Sequence, residues 1–145
     1  MEVSKENRNY KTYINDDKLI HQSKHLLLEL YRCDSDKLND ESFLRCTLNN
    51  ASKFANATVL NLISNKFEPQ GVTAIALLAE SHISIHTWPE SHYSAVDIFT
   101  CGKNMRPDLA SKYLIQALMA EEHVLRVIER NPPSTVHNQI RRTVQ

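Results

Sequence analysis

"VTAIALLAESHISIHTWPESHYSAVDIFTC", residues 72–101, decides the fold. Three apolar-rich segments, Val72–Ala79, His82–Trp88 and Tyr93–Cys101, are divided by the short polar breaks 80–81 and 89–92. Each is too short for a typical helix and rich in Ile, Val and aromatic residues, so each reads as a strand. Upstream, "ATVLNLISNKF" (57–67) is another strand. It is joined to Val72 by "EPQG" (68–71), in which Pro fixes φ and Gly frees it, as a turn requires. Further out, "HLLLELYRC" (25–33) is a strand and 36–55 a helix. Asp36 or Asn39 can cap that helix, and Leu38, Phe43, Leu44, Leu48 and Phe54 fall roughly on one face. Pro107 suits the first turn of a second helix reaching about Glu122, with Leu109, Tyr113, Ala117 and Met119–Ala120 on its apolar side. Val124–Glu129 is the last strand.

The order β-α-β-β-β-β-α-β predicts an α+β two-layer sandwich: an antiparallel sheet with helices on one face. Residues 21–131 form the expected single domain. Residues 1–20, charged and aperiodic, read as a flexible arm, and 132–145 as a polar, frayed tail opening on Pro132–Pro133.

Composition removes several function classes. Lys+Arg and Asp+Glu both number 17, so nothing favours electrostatic binding of nucleic acid or an anionic membrane. Met1–Ile20 holds no signal-peptide core, and no apolar run approaches the ~20 residues of a membrane span. A soluble, cytoplasmic protein is expected. The cysteines, Cys33, Cys46 and Cys101, are odd in number and form no CxxC pair, which argues against a disulfide framework and a structural zinc site. With Gly71 and Gly102 as the only glycines, no phosphate-cradling loop is possible.

Glu80–Ser81–His82 interrupts the apolar pattern without structural need. Strand alternation puts His82, Ser84, His86 and Trp88 on one side and Ile83 and Ile85 on the other. The first set looks like the wall of a polar cleft with an aromatic platform; the plain alternative is a solvent-facing strand side. His82 and His86 lie ~13 Å apart by strand rise, too far to share one metal ion. His82, His92 and Cys101 match no common zinc spacing, and Ser81 lacks the GxSxG elbow of a hydrolase nucleophile. A buried cysteine is usually inert, but Cys101, directly before Gly102, is a better chemical candidate than Cys33 or Cys46.

"GVTAIALLAESHISIHTWPE" (71–90) followed by "YSAVDIFTCG" (93–102) resembles the signature of the bacterial and archaeal S-adenosylmethionine decarboxylases, small pyruvoyl-dependent enzymes of polyamine synthesis. The likeness is dense over 67–102 and looser over 25–128. It implies that the proenzyme cuts itself between Glu80 and Ser81. Ser81 Oγ attacks the Glu80 carbonyl, and elimination and hydrolysis leave a pyruvoyl group at the new N-terminus, with chains 1–80 and 81–145. By the family pattern His86 is the proton acceptor in processing. Thr73, where relatives often carry Ser, supports it by polarising the scissile carbonyl. The pyruvoyl ketone forms a Schiff base with the substrate amine, and Cys101 returns a proton to the α-carbon. Phe67 and Trp88 match positions that sandwich adenine, and Glu90 the residue on the ribose hydroxyls. Without the motif, Phe67 would read as core filler and Glu90 as a turn carboxylate. The implied products are CO2 and decarboxylated S-adenosylmethionine, the aminopropyl donor for spermidine. No metal is implied, and the resemblance makes the processed unit a homodimer with residues of both protomers at each site. The alternatives are the same chemistry on arginine or ornithine, or a non-catalytic regulatory paralogue.

Overall fold

In "SKHLLLELY" the alternate residues Leu26, Leu28 and Leu30 are buried, while His25, Leu27, Glu29 and Tyr31 take the other side. The same alternation in the other central strands defines the architecture. A computed structural model of the chain describes residues 23–102 and 104–130. Its strands are β1 (Ser23–Tyr31), β2 (Val59–Lys66), β3 (Val72–Leu78), β4 (His82–Trp88), β5 (Tyr93–Thr100) and β6 (Glu122–Arg130). Its helices are α1 (Ser35–Leu38), α2 (Glu41–Phe54) and α3 (Pro107–Ala117). One turn of 3-10 helix, Pro89–Ser91, joins β4 to β5.

The strands form one sheet in the order β2-β3-β4-β5-β1-β6, every neighbouring pair antiparallel. α2 lies over β2, β3 and β4, and α3 lies against α2, β1 and β5. Between the layers sits the core. Leu26, Leu28, Leu30, Val72, Ile83, Ile85, Val96 and Ile98 from the sheet meet Leu44, Leu48, Ala51, Ala110, Leu114 and Leu118 from the helical layer. Each large member contributes about 1.5–3 kcal/mol through burial. Ala74 and Ala76, fully buried on β3, keep the sheet surface flat under α2. The expected α+β sandwich with helices on one face is what forms.

Three local expectations differ. The helix expected over 36–55 is two helices, capped by Asp34 and Asp40 rather than by Asp36 or Asn39. Asp34 Oδ1 accepts from Lys37 N–H at 3.0 Å and Asp40 Oδ1 from Phe43 N–H at 2.9 Å. Asn39 instead ends α1, and its Oδ1 accepts from Gly71 N–H at 3.0 Å. Along α2 the buried residues are Leu44, Thr47, Leu48, Ala51 and Ser52; Phe54 is exposed and stacks on Tyr113. The second helix ends at Ala117, because Met119 at φ 55 reverses the chain into β6. Its fully buried residues are Ala110, Ser111 and Leu114, with Leu118 just beyond; of the expected side, Tyr113 and Ala120 pack partly buried against the core, while Met119 is exposed.

Gly71 holds the β2–β3 turn at φ 98, and a Cβ there would lie 2.9 Å from the Thr87 carbonyl oxygen. Any other residue is therefore strained twice over. The arm assigned to 1–20 and the tail assigned to 132–145 lie outside the described residues. Among the described residues no helix is long and apolar enough to cross a membrane.

Candidate active site

The sheet face opposite the helices carries the residues singled out from the sequence. Register arranges them in rows. Leu77, His82, Phe99, His25 and Ile128 form one row, and Ile75, Ser84, Asp97, Leu27 and Arg126 the next. Thr73, His86, Ala95, Glu29 and Val124 form a third, and Trp88 pairs with Tyr93 beyond it.

Ser81 lies in the β3–β4 turn, at one end of this face. The turn is pinned on both sides. Leu78 N–H donates to the Ser81 carbonyl at 2.9 Å, and Ala79 N–H to the Thr58 carbonyl at 2.9 Å. The Glu80 carboxylate accepts from Thr58 N–H at 3.1 Å. Cys101 follows β5 at the same end, half-buried, with Sγ 3.3 Å from Ser23 Oγ at the start of β1. His82, His25 and Phe99 cluster beside them, with ring centroids 5.6–6.5 Å apart. His25 Nε2 is 3.0 Å from Asp97 Oδ1.

The remaining candidates gather toward the opposite end. Thr73 Oγ1 and His86 Nδ1 are 2.9 Å apart across β3 and β4, so hydroxyl and imidazole act as a unit. The His86 carbonyl accepts from Ser94 Oγ at 3.0 Å, fixing the strand beneath the ring. Trp88 is 42% and Phe67 49% exposed, so Phe67 is not core filler. Glu90 is exposed in the 3-10 turn. His86 follows Ser81 by five positions, about 16 Å at the usual strand rise of roughly 3.3 Å per residue. Trp88 is farther still. The structure therefore places Ser81 and Cys101 at one end of the face, and Thr73, His86 and Trp88 toward the other, the two groups apart from each other.

His92 stands at the far end from His82 and Cys101, with Nδ1 3.0 Å from the Cys33 carbonyl oxygen. Among the described residues no three His, Cys, Asp or Glu side chains are placed to hold a metal ion. Cys33 is enclosed in the core, and burial pushes its thiol up to about 11.

Sequence reasoning missed Ser23, His25, Glu29, Tyr31, Tyr93 and Asp97. Tyr93 stacks on Trp88 and on Tyr31, and its hydroxyl donates to Glu29. A signal existed: in 23–31 and 93–101 the alternate residues on one side are polar or aromatic apart from Leu27, Ala95 and the Cys101 thiol, much the alternation that singled out β4.

The open face is also unusually apolar for a solvated sheet side. Ile63 and Leu77 are more than half exposed, and Val124 and Ile128 are exposed near its β6 edge.

Comparison with known proteins places this arrangement. A family model described as S-adenosylmethionine decarboxylase matches residues 24–131. The S-adenosylmethionine decarboxylase proenzyme of Parasynechococcus marenigrum is 56% identical over 122 residues, covering 84% of this chain and 95% of that protein. The protein of the same name from Methanococcus aeolicus is 49% identical over 88 residues, covering 61% of this chain and 75% of that one. The crystal structure of the adenosylmethionine decarboxylase from Aquifex aeolicus superposes with a TM-score of 0.73 at 38% identity, covering 78% of this chain and 93% of that one. With the family model spanning nearly all the described residues, the chain belongs to the S-adenosylmethionine decarboxylase family.

Proposed function

We propose that the protein is a self-processing decarboxylase that converts S-adenosylmethionine to its decarboxylated form and CO2, the aminopropyl supply for polyamine synthesis. One observation carries the reading: a single sheet face holds the Glu80–Ser81 turn, with its hydroxyl, and the Cys101 thiol at one end, and a Thr–His pair with an exposed indole at the other.

Those halves are too far apart to act within one chain. A second copy packed face to face, running the opposite way, sets the His86 end of one over the Ser81 end of the other. The apolar residues of the open face support such a homodimer. Each dimer then carries two complete sites, each with Ser81 and Cys101 from one chain and Thr73, His86, Phe67, Trp88 and Glu90 from the other.

Processing follows from the residues. Ser81 Oγ attacks the Glu80 carbonyl in a turn whose ends are already fixed by Leu78, Ala79 and Thr58. The His86 imidazole, oriented by Thr73, accepts the proton. The Ser81 position fits a pyruvoyl group: it is a serine at a half-buried strand start, with its own carbonyl held in the uncut chain by Leu78 N–H. That group supplies a ketone for the substrate's amine and a sink for the electrons released with CO2. Leu78 N–H is a donor aimed where negative charge develops. Cys101 Sγ, aimed by Ser23, holds the proton for the α-carbon. Phe67 and Trp88 offer faces to adenine and to the sulfonium, and Glu90 offers two acceptor oxygens to the ribose. The domain is residues 21–131, and its free cysteines suit the reducing cytoplasm.

An intact-mass spectrum tests processing and cofactor together. Two chains, 1–80 and 81–145, are expected, the second lighter by one ammonia than a fragment beginning with serine, and Ser81→Ala should stay whole. Carbon dioxide release from S-adenosylmethionine, arginine and ornithine, measured side by side, tests the substrate. An uncut chain that still decarboxylates would refute the mechanism; release from a basic amino acid alone would refute the substrate.

A further inference from the structure

We propose that Tyr93 is a positioning residue for substrate recognition: it fixes the plane of Trp88 before the adenosyl group arrives. The inference rests on the adenosyl substrate proposed above and goes beyond it in naming what holds the platform.

Trp88 is the last residue of β4 and the only tryptophan in the chain. An exposed indole at a strand end can swing about its side-chain bonds, and a swinging ring loses affinity by the cost of being ordered on binding. Here it is not free to swing. Tyr93 stacks on it at 5.2 Å between centroids and 28° between planes. Tyr31 stacks on Tyr93 in turn, at 5.5 Å and 25°. The Tyr93 hydroxyl donates to the Glu29 carboxylate. Burial, and then Glu29 beside it, push the phenol's pKa upward, so it remains a donor throughout the neutral range. β1 thus supplies both the backing ring and the acceptor, and three neighbouring strands lock one plane. Tyr93 occupies one side of the indole. The other side is the one a nucleobase can take, so Tyr93 acts through Trp88 without touching substrate. The His86 ring stands 6.5 Å from the indole, so the platform is also held in register with the proton acceptor.

The test uses the processed enzyme carrying Tyr93→Leu, Tyr93→Phe or Tyr31→Leu. Fluorescence of the single tryptophan reports binding of adenosine and 5′-methylthioadenosine, and carbon dioxide release gives kcat and KM. An aromatic pair is worth roughly 2- to 12-fold in an equilibrium constant. Tyr93→Leu should raise Kd and KM by that factor, leave kcat within about twofold, and leave self-cleavage unchanged. Tyr93→Phe keeps the stacked ring but loses the Glu29 bond, so its Kd should fall between wild type and Tyr93→Leu, whereas Tyr31→Leu, should Tyr93→Leu fail to fold, should show a smaller rise than Tyr93→Leu. Unchanged Kd and KM in every folded variant would overturn the proposal, as would a fall in kcat and self-cleavage with KM constant, the mark of a purely structural residue. A wild-type enzyme that binds neither nucleoside would overturn the adenosyl substrate, and this proposal with it.

Discussion

If each site is built from two chains, two inactive variants should repair one another. His86→Ala keeps Ser81 but lacks the proton acceptor; Ser81→Ala keeps the acceptor but has nothing to cleave with. Produced separately, both should remain whole. Co-produced in equal amounts and paired at random, they form mixed dimers. In each mixed dimer one site joins an intact Ser81 to an intact His86 from the other chain. Half of the dimers are mixed and one chain in each is cleavable, so about one quarter of all chains should be cut. The geometry leaves little room for a different result: along one chain β4 and the turn before it hold the two groups about 16 Å apart, far beyond the roughly 3 Å that proton transfer needs. The assay is an intact-mass spectrum of differently tagged variants, which also shows that the cut falls in the His86→Ala chain. No cleavage in the mixed sample, with wild type cutting normally, would refute a site shared between chains. Cleavage of His86→Ala alone would refute the role of His86.

Cys101→Ala should still yield two chains but lose about 10²–10⁴-fold in turnover, the usual contribution of a general acid; unchanged turnover would return Cys101 to a packing role. Thr73→Val removes the hydroxyl 2.9 Å from His86 Nδ1 and should slow self-cleavage, followed as the fraction cut over time, while Thr73→Ser should not. The slowing expected is roughly 2- to 12-fold, the worth of one such hydrogen bond. Cys33 gives a pH signature. Its thiol pKa rises from 9.0 in the open chain to about 11 when folded, so its contribution is fully present below pH 9.0 and is lost as pH climbs through about 11. The Tm of Cys33→Ala should therefore fall less steeply across that interval than that of wild type, and at neutral pH alkylation should reach exposed Cys46 first and Cys33 only on unfolding.

The sheet was readable because its strands are short, are bounded by polar breaks, and in β4 alternate plainly, with Ile83 and Ile85 on one side and His82, Ser84 and His86 on the other. The helix boundaries were not. "CDSDKLNDES" (33–42) offers several side chains able to cap, and which two do so depends on the sheet beneath and on Gly71, which claims Asn39. The end of α3 turned on one positive φ at Met119, a residue type that gives no warning of it. Within the candidate site, Ser81, His86, Trp88 and Cys101 were singled out by their motif, and their places on the open face follow from strand alternation and register. Tyr93 and Glu29 were not, because they belong together only through β5–β1 pairing, which links strands more than 60 residues apart. The rise that bars His82 and His86 from sharing a metal also parts Ser81 from His86, a consequence drawn only once both ends of β4 are placed.

The strand order β2-β3-β4-β5-β1-β6 has an outcome for the cut protein's lifetime. Cleavage of the Glu80–Ser81 bond, as proposed above, leaves β1, β2 and β3 in one polypeptide and β4, β5 and β6 in the other. Read across the sheet, the two polypeptides alternate, meeting at three seams: β3 with β4, β5 with β1, and β1 with β6. β1 is gripped on both edges by its counterpart, so the halves are woven rather than laid side by side. Neither can leave without unzipping the sheet's middle. Once unzipped, the strands that were tethered by a three-residue turn must find each other by diffusion. Maturation thus turns a chain that can refold in one molecule into a pair whose reassembly depends on concentration. Its endurance is then governed by how slowly the weave opens, and no longer by an equilibrium it can return to.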